Sequence, residues 1–182
     1  DGKDVPLTTL DKNGNKIENG EIPVAIELSS LKINKEDFTM TKGTSETLTV
    51  TGTPAEALEG QTITWKSSNK DVVTVDSKGK VEAVGVGNAT ITATAAGKSD
   101  SVKITVNNPL KKITVDPATL TLKKGTSKTL SVKYDPADTT DNKAVTWESS
   151  DKSVATVDAN GKVTALKDGS ATITAKVGKL TA

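Results

Sequence analysis

Three short blocks of sequence decide the fold, and each occurs twice: TWKSS at Thr64–Ser68, VDSKGKV at Val75–Val81 and ATITA at Ala89–Ala93. Their second copies are TWESS, VDANGKV and ATITA, at Thr146–Ser150, Val157–Val163 and Ala171–Ala175. Corresponding residues lie 82 positions apart in all three blocks, which identifies a tandem repeat without gaps across this stretch. The repeat predicts two domains of one architecture.

The segments around the blocks alternate between apolar and polar residues, as half-buried strands do. No segment has a sustained apolar period of 3.6 residues, and Gly, Pro, Asn and Asp separate the runs. The predicted inward-facing residues of the last two strands of the first copy are Ala89, Ile91, Ala93, Ala95, Val102, Ile104 and Val106. This pattern predicts an all-β fold of two β-sandwiches.

The pattern makes three further predictions about individual strands and loops. The alternation continues through Thr47–Thr51, which predicts one unbroken strand, and Gly52–Gly60 around Pro54 is a predicted loop. In the second copy, Leu120 and Leu122 replace Phe38 and Met40. The second copy is therefore predicted to repeat the strand that holds that pair.

The repeat assigns residues 26–108 to the first domain and residues 109–182 to the second. Residues 1–25 match neither copy, and we interpret them as a leader, a linker or a remnant of an upstream domain. They contain a hairpin signal at Leu10–Ile17, where Asn13-Gly14 lies between apolar positions. The linker Asn107–Pro109 is very short, and its proline restricts two residues, which predicts limited bending and a rod-like pair.

The second copy has no counterpart of the strand Ser101–Val106, because the corresponding positions fall beyond Ala182. We expect the second sandwich to lack its final strand and to expose an unpaired edge. The strand is supplied either by continuation of the polypeptide, which we favour, or by another chain or segment. We therefore expect the sequence to belong to a larger polypeptide or assembly.

Composition argues against several classes of function. The 182 residues include no cysteine and no histidine, which removes thiolate chemistry, zinc–thiolate sites and the usual general base near neutral pH. The net charge is only +1, and nucleic-acid binders usually carry a basic excess. No apolar run approaches the ~18–20 residues that cross a bilayer. We expect a non-enzymatic protein that neither binds nucleic acid nor inserts into a membrane.

The repeated blocks resemble the bacterial immunoglobulin-like domain, group 2. Both copies carry Thr-Trp-x-Ser-Ser, Val-Asp-x-x-Gly-Lys-Val and Ala-Thr-Ile-Thr-Ala in order, over Thr64–Ala93 and Thr146–Ala175, and the resemblance extends from about Ile26 to the end. It implies two tandem Ig-like β-sandwich domains. Such domains occur in intimin- and invasin-type adhesins, in S-layer proteins, in secreted polysaccharide-degrading enzymes as accessory modules, and in phage tail and capsid proteins. The resemblance brings no catalytic residues.

The two tryptophans have two interpretations. Trp65 and Trp147 alternate in phase with Ile63 and Val145, so we interpret them as core residues. The alternative is a pair of exposed platforms on which sugars stack. The choice matters because these are the only tryptophans in the chain.

The repeated Asp–Gly segments, Asp76–Lys80 and Asp158–Lys162, are interpreted as turns, in which aspartate accepts backbone hydrogen bonds and glycine takes positive φ. Ligand-binding loops are the alternative. Gly87 and Gly169 are interpreted as bends before a strand rather than phosphate-binding glycines, because no helix follows them.

Acidic and hydroxyl-rich segments are the remaining candidates. Asp135, Asp138 and Asp141 have two interpretations: they form a weak Ca²⁺ site, or they lie in a solvated loop. The same two interpretations apply to Glu56 and Glu59. An EF-hand reading of Asp11, Asn13 and Asn15 fails, because Lys16 and Ile22 stand where Gly and Glu are required. The outward-facing threonines either bind glycans weakly or simply form the water-facing side of a strand; they are Thr90, Thr92, Thr94, Thr172 and Thr174.

From these features we predict an extracellular, non-catalytic tandem module on a bacterial cell surface or a phage virion. It acts as a spacer and as a weak, multivalent adhesion surface for cell-surface glycans or host surface proteins. The alternatives are an accessory module of a secreted polysaccharide-degrading enzyme and a calcium-dependent adhesin. We predict no cofactor, and no catalytic, cofactor-binding or metal-binding residue.

Overall fold

The computed structural model describes residues 26–182, and these residues form two β-sandwiches in series. The predicted hairpin at Leu10–Ile17 and the calcium-loop look-alike at Asp11–Asn15 lie outside the described residues. The all-β prediction is confirmed, since strands make up nearly all of the regular structure. In the described part of the chain, no helix has the length and apolar character needed to cross a membrane.

The first sandwich contains nine strands, which form three sheets. The strands are β1 Ser30–Ile33, β2 Phe38–Thr41, β3 Ser45–Thr47, β4 Val50–Thr53, β5 Thr64–Ser67, β6 Val73–Val75, β7 Lys80–Ala83, β8 Gly87–Ala95 and β9 Lys98–Asn107. The largest sheet has the order β2-β9-β8-β5, and the others are β3-β7-β6 and β1-β4. Strand β9 is antiparallel to β8 and parallel to β2.

The core of the first sandwich follows the predicted alternation. Along β8, Ala89, Ile91, Ala93 and Ala95 are buried and the threonines between them are half-buried. The closing strand β9 buries Val102, Ile104 and Val106, each at most 1% exposed. The two strands are paired along their whole length, from Gly87↔Val106 to Ala95↔Lys98, so both contribute a continuous row to the core.

The first sandwich differs from the prediction at two points. The expected single strand over Thr47–Thr51 is broken at Leu48–Thr49, because β3 pairs with β7 whereas β4 pairs with β1. The chain thus passes from one sheet to another while the alternation continues, and Leu48 itself is 1% exposed. The predicted loop Gly52–Gly60 contains the end of β4 and a short 3₁₀ helix, Ala55–Leu58.

The second sandwich is built on the same plan with shorter strands. They are β10 Lys112–Asp116, β11 Ser127–Thr129, β12 Ser131–Asp135, β13 Thr146–Ser149, β14 Ala155–Val157, β15 Lys162–Ala165, β16 Ile173–Val177 and β17 Leu180–Thr181. Its sheets are β10-β12, β11-β15-β14 and β13-β16-β17.

One predicted strand of the second sandwich does not form. Leu120 and Leu122 lie in a stretch without strand structure between β10 and β11, whereas Phe38 and Met40 lie in β2. The reason is the pairing partner: β2 pairs with β9, and β17, which corresponds to the start of β9, has only two residues. Among residues 26–182, the segment around Leu120 and Leu122 therefore has no strand to pair with.

Candidate functional site

A turn in each sandwich is organised by one aspartate. The Asp76 Oδ1 atom accepts hydrogen bonds from the amides of Lys78, at 2.8 Å, and Lys80, at 2.9 Å. These backbone donors, first Lys80 and then Lys78, hold the pKa of Asp76 below its ordinary value of 3.8. Asp158 makes the same two contacts with Asn160 and Lys162. In both copies the carboxylate is therefore used to close a turn.

The turn glycine is in contact with the tryptophan of the same copy. Gly79 has φ +81°, and a Cβ atom added there would lie 2.9 Å from Trp65 Cζ2 and 2.4 Å from the carbonyl oxygen of Leu48. Gly161 has φ +78° and the same relation to Trp147, at 2.8 Å from Cζ2. The indole thus packs directly on bare backbone, which gives a physical reason why the TW and DxxGK blocks occur together.

The tryptophans are half-buried. Trp65 packs against the first core together with Ile63, and Trp147 packs against the second core together with Val145, as their phase predicts. Each ring is nevertheless partly accessible. Beside Trp147 there is a shallow pocket of about 220 Å³, lined by Trp147, Glu148, Ser149, Lys152, Thr156 and Val157.

Two carboxylates of the second sandwich, those of Glu148 and Asp151, have a lowered pKa. The Lys176 ammonium donates to Glu148 Oε2 at 2.7 Å, and this contact lowers the pKa of Glu148. The hydroxyl and then the amide of Ser153 lower the pKa of Asp151. General acids in enzymes need the opposite shift, toward the pH at which they work. The environment of both groups therefore favours structural roles.

The acidic loop of the second sandwich lies against the linker. Asp138 Oδ2 accepts from Lys42 Nζ in the first sandwich at 2.7 Å, and Asp138 Oδ1 accepts from Asn108 Nδ2 at 2.7 Å. The Lys42 contact, before any other cause, holds the pKa of Asp138 below its ordinary value. Asp141 Oδ2 accepts from the amide of Leu110. Across residues 26–182, no three acidic side chains gather in a way that suits a metal ion.

The linker residue Asn108 is 7% exposed, and both its backbone and its side chain form hydrogen bonds. Its amide donates to Thr140 Oγ1 at 3.1 Å, and its carbonyl accepts from the Thr140 amide at 2.9 Å. The Lys42 amide also donates to the carbonyl of Asn107 at 2.8 Å. We call this network of Lys42, Asn108, Asp138, Thr140 and Asp141 the joint.

Sequence reasoning placed Asp138 and Asp141 in one loop but did not connect that loop with the linker. A signal was present in the repeat itself. At aligned positions the first copy has Ala57 and Leu58, and the second has Thr139 and Thr140. An apolar pair replaced by a hydroxyl pair indicates different neighbours: the Thr140 hydroxyl accepts from the Asn108 amide, and the Thr139 hydroxyl accepts from the Asp141 amide.

The remaining candidates lie apart from one another. Glu56 and Glu59 are exposed at the 3₁₀ helix. The Thr92 hydroxyl lies 2.8 Å from the Ser101 hydroxyl, and the Thr64 hydroxyl donates to the Thr94 carbonyl. Some of the hydroxyl groups on this face are thus already engaged within the sheet. Gly87 begins β8 with φ +136°, and an added Cβ there would lie 3.2 Å from Val72.

Comparison with known proteins gives one family. The model of the bacterial Ig-like domain (group 2) matches residues 28–106 and again residues 109–182. Among curated relatives, the chain is 41% identical over 105 residues to lacto-N-biosidase of Bifidobacterium bifidum, covering 56% of the chain and 9% of that protein. It is 32% identical over 127 residues to ice-binding protein 1 of Shewanella frigidimarina, covering 66% of the chain and 14% of that protein. The chain thus spans a small part of the length of the relatives it matches.

One solved structure with partial similarity to the chain comes from an S-layer protein. The S-layer protein rSbsC(31-844) matches over 89% of this chain and 28% of its own, with 24% sequence identity and a TM-score of 0.40. The matched family is one of Ig-like domains without catalytic activity of their own, although several relatives are enzymes. Because the family model covers both repeats almost completely, this chain belongs to the bacterial Ig-like domain family, group 2.

Proposed function

We propose that these residues form a non-catalytic spacer of an extracellular protein, on a bacterial cell surface or a phage virion, which holds neighbouring parts at a fixed separation. The observation that carries this proposal is the joint. A spacer transmits position only if its linker resists bending, and here the linker residue Asn108 is enclosed by hydrogen bonds from the second sandwich. The Lys42–Asp138 ion pair adds a direct link between the sandwiches.

The spacer proposal is tested by a distance measurement between the sandwiches. Because the chain has no cysteine, Lys98→Cys and Lys167→Cys place one spin label on each sandwich at exposed sites without competing thiols. Pulsed electron resonance then gives the distribution of label separations. A single narrow distribution is expected. A broad distribution, comparable with that of the same chain carrying a flexible Gly-Ser linker in place of Asn107–Pro109, would contradict a spacer role.

A second function has its own support. Curated relatives of the chain include lacto-N-biosidase of Bifidobacterium bifidum and kappa-carrageenase of Pseudoalteromonas carrageenovora, and we propose weak binding of cell-surface glycans as an accessory role. The shallow pocket beside Trp147 offers what a sugar needs: an indole surface, a carboxylate at Glu148 and an ammonium at Lys152. A pocket of this depth suits low affinity, which many copies convert into avidity.

Glycan binding is tested on a glycan array with the chain displayed in many copies. Signals that fall in the Glu148→Gln and Lys152→Ala variants are expected for binding at the pocket. The matched controls are Lys66→Gln and Lys70→Ala, the same positions in the first sandwich. If all four variants bind as the unmodified chain does, or if no glycan gives a signal, the pocket is not a sugar site.

A further inference from the structure

The N-terminal strands of the first sandwich are attached to two different sheets. Strand β1 pairs with β4 in one sheet, and β2 pairs with β9 in another. Between β1 and β2, the Asn34 amide donates to the Thr49 carbonyl at 2.9 Å, and the Asn34 side-chain oxygen accepts from the Thr49 amide at 2.9 Å. A chain that is pulled from its N-terminal side therefore loads hydrogen bonds in both sheets.

This N-terminal segment runs in the same direction as the closing strand β9. The Ile33 amide donates to Asp100 Oδ2 at 2.7 Å near the start of β9, and the Lys103 amide donates to Asp37 Oδ1 at 2.8 Å further along it. The parallel pairing of β2 then continues to the end of β9. The chain thus enters the sandwich beside the start of β9 and leaves it at the end of β9. We call β2, β9, Asp37 and Asp100 the clamp.

The direction of the strands decides how tension acts on their hydrogen bonds. When the two ends of the sandwich are pulled apart, β2 is drawn lengthwise along β9, and all the bonds between them are loaded together. Strands that are pulled apart sideways from one end lose their bonds one at a time. Loading together requires a larger force, because several bonds must break in the first step. Met40, Ile104 and Val106 of the clamp are at most 5% exposed, so water has little access to that side of the pairing.

We propose that the first sandwich bears tension along the chain and that the clamp is the part that resists it. This function goes beyond that of a spacer, because a load-bearing domain keeps its fold while its ends are pulled. The two carboxylates of the clamp bond backbone amides of the opposite strand, so they extend the loaded bonds beyond the paired residues of β2 and β9. The bond from Asp37 is particular to the first copy, since Thr119 stands at the aligned position of the second.

The test pulls single molecules of the full chain in two directions. Because the chain has no cysteine, handles attach only to introduced thiols, which are placed at exposed positions. Glu27→Cys with Asn107→Cys loads the clamp lengthwise, because the load enters before β1 and leaves at the end of β9. Thr41→Cys with Asn107→Cys pulls the same two strands apart from one end, because these two residues are register partners. The second sandwich lies outside both pairs of handles and carries no load.

The mean unfolding force at one pulling speed is expected to be about twofold or more higher in the lengthwise direction than in the sideways direction. Both chains carry only exposed cysteine substitutions, so the comparison does not depend on a destabilising variant. It is made within the first sandwich and is therefore independent of the joint. Equal forces in the two directions, or a lower force in the lengthwise direction, would overturn the proposal.

A second measurement asks whether a carboxylate of the clamp bears load. In the lengthwise direction, Asp37→Ala is expected to lower the unfolding force, because it removes the acceptor of the Lys103 amide. The matched control is Asp76→Ala, which removes another exposed aspartate that accepts from backbone amides, but at a turn outside the clamp. The control is expected to lower the melting temperature and to leave the force unchanged. The proposal is also overturned if Asp37→Ala leaves the force unchanged, or if the two variants lower it equally.

Discussion

The contact between an indole and a turn glycine is the best-defined feature at the scale of single residues. Trp65 Cζ2 and the Leu48 carbonyl both lie within 3 Å of where a Gly79 side chain would begin. Real Cβ atoms do not approach other atoms so closely, and φ +81° is itself unfavourable for an L-residue. Glycine is therefore required there for two separate reasons.

Replacing Gly79 by alanine separates these two reasons when it is compared with Gly43. Gly43 has nearly the same backbone, φ +86°, but nothing within 4 Å of an added Cβ. Gly43→Ala is expected to destabilise the first sandwich by about 1–2 kcal/mol from the left-handed backbone alone. Gly79→Ala is expected to exceed that value by about 1–3 kcal/mol because the added Cβ collides with the Leu48 carbonyl oxygen and overpacks the indole. Urea unfolding measures both, and equal values would show that the close contacts of Gly79 with the Leu48 carbonyl and the indole are unimportant.

The charge of Asp76 gives a prediction with a definite pH dependence. Its pKa in the folded chain lies below the ordinary value of 3.8, because the backbone amides of Lys80 and Lys78 donate to the carboxylate. The stabilisation is therefore fully present above the unfolded-state pKa and is lost as the pH falls through the folded-state pKa. Asp76→Asn is expected to be less stable than the unmodified chain at pH 7, and the difference is expected to shrink as the pH is lowered below 3.8. A difference that stays constant between these pH values would contradict the assignment.

At the scale of strands, the pairing of β8 with β9 determines how completely the first core is buried. Ile91 and Ile173 occupy the same position of the repeat, but Ile91 is fully buried and pairs with Val102 of β9, whereas Ile173 is only half-buried. The free energy lost when a buried methyl group is removed depends on how tightly its surroundings enclose it. The repeat therefore supplies a matched pair for measuring what one strand contributes.

Ile91→Ala is expected to destabilise the first sandwich by about 2–5 kcal/mol, as for other fully buried isoleucines. Ile173→Ala is expected to destabilise the second sandwich by about half as much or less, because part of its side chain already meets water. Urea unfolding followed by NMR reads the two sandwiches separately. Equal losses at the two sites would mean that the second core is as well covered as the first.

Much of this strand arrangement was predictable from the sequence. Alternation identified the inward rows of β8 and β9 because each keeps one face toward the core throughout its length. The break at Leu48–Thr49 was not predictable, since alternation continues unchanged while the chain passes from one sheet to another. The loss of a strand at Leu120–Lys123 was also missed. Strand formation there depends on a distant partner, and local propensity does not report on partners.

At the scale of the whole molecule, the joint determines how the two sandwiches act together. The Lys42 and Asp138 side chains are 37% and 53% exposed, so their ion pair by itself contributes little. The stronger constraint is the enclosure of Asn108, which bonds through its backbone to Thr140 and through its side chain to Asp138. The short linker was visible in the sequence. The loop that binds it was not, because that contact crosses the domain boundary.

Asp138→Ala removes the acceptor of both Lys42 and Asn108 and is expected to broaden the distribution of distances between labels on the two sandwiches. Each sandwich is expected to keep its fold, since Asp138 is exposed. The matched control is Glu148→Gln, which removes a comparable exposed ion pair, with Lys176, inside the second sandwich. If the two variants give the same distribution as the unmodified chain, Asp138 does not stiffen the joint.

Residual dipolar couplings of the backbone amides give the most direct test of whether the two sandwiches form one rigid spacer. Couplings from each sandwich are fitted separately to yield its own alignment tensor. Two bodies held by the joint are predicted to share one tensor, with the same magnitude, rhombicity and axes. Tensors of clearly different magnitude would show that the sandwiches reorient independently about Asn107–Pro109, and would contradict a rigid spacer.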